Sequence, residues 1–337
     1  MSFQNPAEES DTEYAHSKLA TAQLTQAIFE QHERLSIDQQ EEEAARKEVT
    51  DRKAARLKQM QEELAVTISE TTLKLLQLSA EKGASSWLTS LPLKEFGFRL
   101  NKQEFGDAVS MRYNLPLKDV PRQCVCGADY GISHCLTCKS GGFIHFRHDT
   151  VRDTVGRLAD EICKDVRIEP MLLPVTGEAL PESANTTDGA RSDVSALGFW
   201  QPLSRAFFDV KVFNPLAKTN WQMKIPDMYS HHEKLKKRAY NERILQIEKG
   251  TFTPLVFSCS GGASVEATRF IKQLAAKLSA KRQDSYSVTV NVIRRRLRFD
   301  ILRSCIISLR GERSHRRREE TQLVDLDFGL HRIEAEV

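Results

Sequence analysis

The chain has 337 residues, room for one large domain or two ordinary ones. Hydrophobic residues make up 40% and charged residues 28%, the balance expected of a soluble protein and not of a disordered one. A net charge of +3 makes no global case for nucleic-acid binding, so any basic surface has to be local.

The N-terminal stretch MSFQNPAEESDTEYAH has neither a basic n-region nor an apolar h-region. No secretory signal is therefore expected. No run of about 18 apolar residues occurs, so no membrane span is expected either. These readings imply a nuclear or cytoplasmic location. Four of the seven cysteines crowd into residues 124–138. Without a secretory signal, such crowding points to metal ligation more than to disulfides.

Residues 1–80 are expected to form a charged helical arm. DQQEEEAARKEVTDRKAARLKQMQEEL holds no Gly or Pro and is rich in helix formers. Glu42/Arg46, Glu43/Lys47 and Glu48/Arg52 are spaced four apart with the acid first. Leu57, Met60, Leu64, Ile68 and Leu75 read as one apolar stripe, so the helix is expected to be solvated first and amphipathic later, and available for self-association. Residues 81–122 read as a compact helical segment in which Asn101 is a candidate helix N-cap.

Residues 123–140 contain CVCGADYGISHCLTC. Cys124, Cys126, His134 and Cys138 offer three thiolates and an imidazole, the donor set of a closed tetrahedral zinc site. Cys135 stands beside His134 as an alternative fourth ligand. Gly127 permits a tight turn after the first pair.

Residues 143–262 read helix, strand, strand, strand, helix, strand. Val151, Val155, Leu158 and Ile162 mark a helical face. VRIEPMLLPV is a strand interrupted at Pro170. ARSDVSAL and AFFDVKVF alternate with period two, which places Asp209 and Lys211 on one strand face. SHHEKLKKRAYNERILQIEKG is a helix with Gly250 as its expected C-cap. FTPLVFSCSGG is an apolar strand. Residues 263–337 are expected to be a basic helical region. Arg294, Arg295, Arg296, Arg298 and Arg303 share one helix with the apolar Ile293, Leu297, Ile301 and Leu302, and Arg316, Arg317 and Arg318 follow.

Apolar strands avoid acids unless those groups are paired or in use. Asp193 and Asp209 on neighbouring strands repel each other, and a divalent cation relieves that cost. Oxygen ligands of this kind suit magnesium or manganese. A lysine beside the cation stabilises phosphorane charge or orients an attacking water.

Taken together, WLTSLPLKEFGFRLNKQEF, the Cys/His knuckle, GGFIHFRHDTVRD, ARSDV, AFFDVKVFNP, KLKKRAY and FTPLVFSCSGG resemble the C-terminal region of non-LTR retrotransposon polyproteins, which end in a restriction-like PD-(D/E)xK endonuclease. The resemblance covers roughly residues 79–312. It implies an α/β (α+β) restriction-endonuclease-like core behind a zinc knuckle, with DNA, and element RNA beside it, as partners. It implies magnesium-dependent cleavage at Asp193 and Asp209, with Asp153 as a further acid on the first helix. Lys211 is the first choice of lysine on strand geometry. Lys237, with Tyr240 in a K-x-x-Y pattern, is the second. Arg147 and His148 are expected near phosphate or the carboxylates, and Arg294, Arg295 and Arg298 on a phosphate-tracking helix. Ser192 stands where the family has proline or a hydrophobic residue. The chain lacks a polymerase signature, which reads as a truncated copy, a fragment or a host-retained piece. Two other classes compete: a nucleic-acid-binding protein that keeps the fold without cleavage, and a helical scaffold acting through its arm.

Overall fold

In a computed structural model, residues 6–32 and 38–313 are described; Arg316, Arg317 and Arg318 lie outside them. The chain divides into two compact units, Met1–Leu73 and Lys74–Val337. No helix among the described residues is long and apolar enough to cross a membrane.

The first unit is helical. Helices α1 (Pro6–Ala20) and α2 (Ala22–Phe29) precede the long α3 (Gln39–Thr67). Asp38 caps α3 by accepting from the Gln40 amide at 2.8 Å. The Glu42–Arg46 and Glu48–Arg52 pairs close at 2.5 Å. Lys53 reaches Glu13 on α1 at 2.8 Å. The expected stripe is not continuous. Ile68 is extended and ends α3, and Leu75 belongs to a separate helix, α4 (Glu70–Ser79). Leu57 and Leu64 remain exposed, and α3 buries no residue.

In the second unit, the end of α4 buries Leu75 and Leu78. Helix α5 (Ser86–Thr89) contributes Trp87 to the core. Helix α6 (Lys102–Tyr113) begins with a full capping box, in which Asn101 takes the Glu104 amide and Glu104 takes the Asn101 amide. After α7 (Ile132–Thr137) comes α8 (Phe143–Asp160), whose Val151, Val155, Leu158 and Ala159 are buried. Strands β1 (Lys164–Ile168), β2 (Val194–Leu197), β3 (Arg205–Phe213) and β4 (Thr251–Ser258) form one sheet in the order β1-β2-β3-β4. The first three run antiparallel, and β3 pairs with β4 in parallel. The β3-to-β4 crossover carries α9 (Ile225–Arg243). The fold is thus mixed α+β with a four-stranded mixed sheet.

Three local expectations change. Helix α8 ends at Asp160, so Ile162, read as part of its apolar face, lies beyond it. Strand β1 stops at Ile168, short of Pro170. Gly250 is not the cap: α9 continues into a short π-helix (Ile244–Glu248), and Lys249 caps it in the left-handed conformation at φ 52°. Gly250 is required for closeness instead, because a Cβ there would meet the Arg205 carbonyl at 2.7 Å.

Helices α10 (Val265–Arg282) and α11 (Tyr286–Arg310) are not an appended region. A single apolar cluster joins Trp87, Phe98, Met111 and Leu136 to Phe208 and Val210 of the sheet and to Phe270, Leu297 and Leu302 of these helices. The segments expected at 81–122, 123–140, 143–262 and 263–337, the last of them described to residue 313, therefore share one core. Removing any of them uncovers the others.

Candidate metal and phosphodiester site

The side chains of β3 alternate, and the alternation builds the site. Phe208, Val210 and Val212 enter the main core. On the opposite side, Phe207 packs with Ile244, and Phe213 packs with Met228 and Tyr229 of α9. Asp209 and Lys211 fall between these two apolar patches. Leucine or valine there would merge the patches into one. An acid and a lysine keep a polar gap under α9 instead.

The β2–β3 register pairs Val194 with Phe208, so Asp193 lies one step before β2, across from Asp209. Asp193 Oδ2 accepts the Val210 amide at 2.6 Å and the His148 Nε2 hydrogen at 3.0 Å. The other His148 nitrogen meets Asp149 Oδ1 at 3.0 Å. Burial alone would lower the His148 pKa. The bond and charge of Asp193, with those of Asp149, outweigh it and push the imidazole up to about 9. Ser192 is buried, and its hydroxyl donates to the Phe208 carbonyl at 2.9 Å. A proline there would lose this bond between β2 and β3.

Asp209 is 3% exposed. Burial first, then the Asp193 charge, pushes its carboxyl up to about 6, and Lys236 pulls against both. Lys236 Nζ lies 2.5 Å from Asp209 Oδ2. The contact is a close ion pair beside a second carboxylate, Asp193, whose charge also acts on Asp209.

Helix α9 faces this gap with His232, Lys236 and Tyr240, each four residues from the next. The His232 ring lies tilted by 40° against Phe213, at 4.6 Å between centroids. Burial, then the charge of Lys211, holds His232 down at about 4, and its buried Nε2 has no hydrogen-bond partner among the described residues. Lys211 is half-buried and makes no hydrogen bond or ion pair among the described residues. Burial, then the like charge of Lys236, lowers its pKa. Lys236 lies 5.9 Å from the Tyr240 ring, and Tyr240 accepts from Asn185 at 3.4 Å.

Of the residues read from sequence, Asp193, Asp209 and Lys211 come together. Tyr240 comes with them, on the same face of α9. Lys237 does not: it points to Glu266 at 2.5 Å, and the neighbouring Lys236 holds the Asp209 carboxylate. Asp153 is exposed and accepts from Arg152 Nε at 2.8 Å, with no contact to either aspartate. His148 reaches a carboxylate, one of its two expected surroundings. Arg147 and Arg298, expected at phosphate, are buried at 2% and 6% exposure. Arg147 donates to the Leu136 carbonyl at 2.9 Å, and Arg298 donates to Ala84 at 2.7 Å and Cys259 at 3.4 Å. Their guanidinium groups satisfy backbone carbonyls, which leaves them no surface on which to meet nucleic acid. Arg294 and Arg295 are half-buried on α11. Lys236 and His232 were missed in the sequence reading. The signal for them was their four-residue spacing in a segment already read as helix.

The Cys/His cluster is a second site. A turn at Gly127, φ 84°, returns the chain so that the Cys124 amide donates to the Ala128 carbonyl at 2.9 Å. Helix α7 then presents His134, and Cys138 follows one turn later. The donor atoms of Cys124, Cys126, His134 and Cys138 all lie within 4.8 Å of one another. Cys124 and Cys138 sulfurs are 3.8 Å apart, Cys126 and Cys138 3.9 Å, and Cys126 Sγ lies 3.4 Å from His134 Nε2. A tetrahedral zinc with Zn–S of about 2.3 Å requires sulfurs about 3.8 Å apart and sulfur to nitrogen about 3.5 Å. The spacing fits that ion. Cys135, the alternative ligand, is buried outside this group.

Compared with known proteins, the chain matches no family model and no curated protein.

Proposed function

We propose that the Lys74–Val337 unit is a metal-dependent endonuclease of the restriction-like PD-(D/E)xK type, related to the nucleases of non-LTR retroelements and braced by a zinc knuckle. One observation carries the reading: Asp209, buried on β3, faces Asp193 across the β2–β3 register, and burial first and the Asp193 charge second raise its carboxyl, with Lys236 and Lys211 close by. The α8-β1-β2-β3-α9-β4 order, with the sheet antiparallel up to β3 and parallel at β4, supports it. That is the element order expected of such a core.

Asp193 and Asp209 would hold magnesium or manganese. When bound, the ion supplies charge neutralisation at the scissile phosphate and a more acidic water. The chain's own groups do the rest. His148 fixes the orientation of Asp193 by its bond to Oδ2. Lys236 balances the Asp209 charge. Lys211, unpaired two residues along the strand, is placed to offer its ammonium to a phosphate oxygen. Cys124, Cys126, His134 and Cys138 would hold zinc as a structural brace. DNA is the proposed substrate, and element RNA a proposed partner.

Nicking of supercoiled DNA under magnesium, compared between the wild type and Asp209→Asn, tests the reading. Activity lost in the variant supports it. Wild-type protein that binds DNA but does not cut it, under magnesium and under manganese, would replace it with the binding-only function.

A further inference from the structure

A second feature lies away from the two aspartates. Between the loop after α4, the turn after β4, and helices α10 and α11 is a cavity of about 210 Å³. Its floor is apolar, made by Phe257, Ile271 and Leu297. Two cations line it, Lys82 and Arg294, and neither has a hydrogen bond or ion pair among the described residues. The Thr268 hydroxyl also lines it and has no hydrogen bond there. Arg298 lines it too, but is buried, with Nε on the Ala84 carbonyl and Nη1 on the Cys259 carbonyl.

The remaining polar group is Glu81. Its carboxylate accepts from the Tyr229 hydroxyl at 2.9 Å, against the turn at Gly262. A side chain at Gly262 would run into both groups. Burial pushes the Glu81 carboxyl up to about 7 against the pull of Tyr229. At neutral pH much of it is the uncharged acid, which both donates and accepts and does not repel an anion.

An apolar floor takes a ring, unpaired cations take a phosphate, and a neutral acid with a hydroxyl takes the edge of a base. The volume lies below the roughly 300 Å³ at which pockets for whole ligands begin, so it admits a base and no more, with the sugar and phosphate left at the mouth, where Lys82 is exposed and Arg294 half-buried. We propose that this cavity binds a single nucleotide of a nucleic-acid strand, with its base on Phe257, Ile271 and Leu297 and its phosphate between Lys82 and Arg294. The choice of a nucleotide over other ring-bearing anions rests on the nuclease reading; the cavity and its unpaired cations do not.

The test is calorimetric titration of the full chain, without added magnesium, with dAMP, dTMP, inorganic phosphate and deoxyadenosine. At least one mononucleotide is expected to bind, with phosphate and deoxyadenosine each about ten-fold weaker or more. Arg294→Ala is expected to weaken it by about ten-fold, the loss of one charge-assisted contact, and Arg294→Lys to recover part of that loss. Thr268→Leu fills the cavity and should abolish binding while the melting profile stays unchanged. A single-stranded oligonucleotide should displace the bound mononucleotide. No mononucleotide binding, an Arg294→Ala variant that binds like the wild type, or phosphate alone binding as tightly would overturn the site. Failure of the oligonucleotide to compete would overturn its assignment to a strand. Because Asp209→Asn leaves the cavity intact, mononucleotide binding in that variant separates this proposal from cleavage: either can fail while the other stands.

Discussion

Asp209 offers a test that does not depend on finding a substrate. Its carboxyl ordinarily titrates near 3.8 and is pushed up to about 6 in the fold. The folded state therefore holds this proton to higher pH than the unfolded chain does. Stability from this group is intact below about 4, falls as the pH rises from about 4 to about 6, and is flat above that. A shift of about two units corresponds to about 3 kcal/mol. Asp209→Asn resembles the protonated acid at every pH. The difference in unfolding free energy, variant minus wild type, should therefore rise from near zero at pH 4 to about 3 kcal/mol in favour of the variant at pH 7. Taking the difference cancels the titration of groups the two proteins share. Denaturant unfolding at a series of pH values, with magnesium absent, measures it. Adding magnesium should stabilise the wild type selectively and shrink the gap, because a bound cation removes the penalty of the two carboxylates. A difference independent of pH would refute the buried, acid-flanked carboxylate. A gap that magnesium leaves unchanged would refute the metal site while sparing the electrostatics.

The other expectations concern the lysines, the zinc and the first helices. In the nicking assay, Lys211→Ala or Lys236→Ala should cost about 10²-fold or more in rate, as loss of one electrostatic stabiliser does. Lys237→Ala, which breaks only the half-exposed pair with Glu266, should shift stability by no more than about 1 kcal/mol and leave the rate within a few-fold; a large rate loss there would reverse the assignment. Metal analysis of protein prepared without added zinc should find close to one equivalent, and chelation should lower the melting temperature, because the thiolates fold around the ion; zinc-free protein with the same melting profile would remove the knuckle site. Residues 74–337 should fold without the first unit, whereas 79–337 should be less stable by roughly 3–6 kcal/mol, since it discards Leu75 and Leu78 at about 1.5–3 kcal/mol each; equal stability of the two would show that α4 is dispensable.

Much of the fold was legible because its signals are local. The Asn101–Glu104 capping box and the fourfold charge spacing of α3 need only near neighbours. The period-two runs around Asp209 announce a strand whatever covers it. Asp193 and Asp209 stood out for the same reason: an acid inside an apolar run has to be compensated, and the sequence by itself says so.

What only the tertiary structure decided is direction. Lys236 and Lys237 are equally plausible on a basic helix, but neighbouring helical residues point about 100° apart, so the docking of α9 on β3 chose Lys236. Arg147 and Arg298 look like surface cations in sequence; burial and backbone carbonyls from distant segments make them parts of the core. The continuous stripe from Leu57 to Leu75 ignored the break at Ile68, because a periodic pattern persists on paper when the helix does not. The cavity beside Arg294 has no sequence signature, since its walls come from segments more than 200 residues apart, Glu81 and Arg294 among them. Periodicity and composition are written along the chain, whereas which side of a helix meets which strand is set by packing between segments that the sequence does not place side by side.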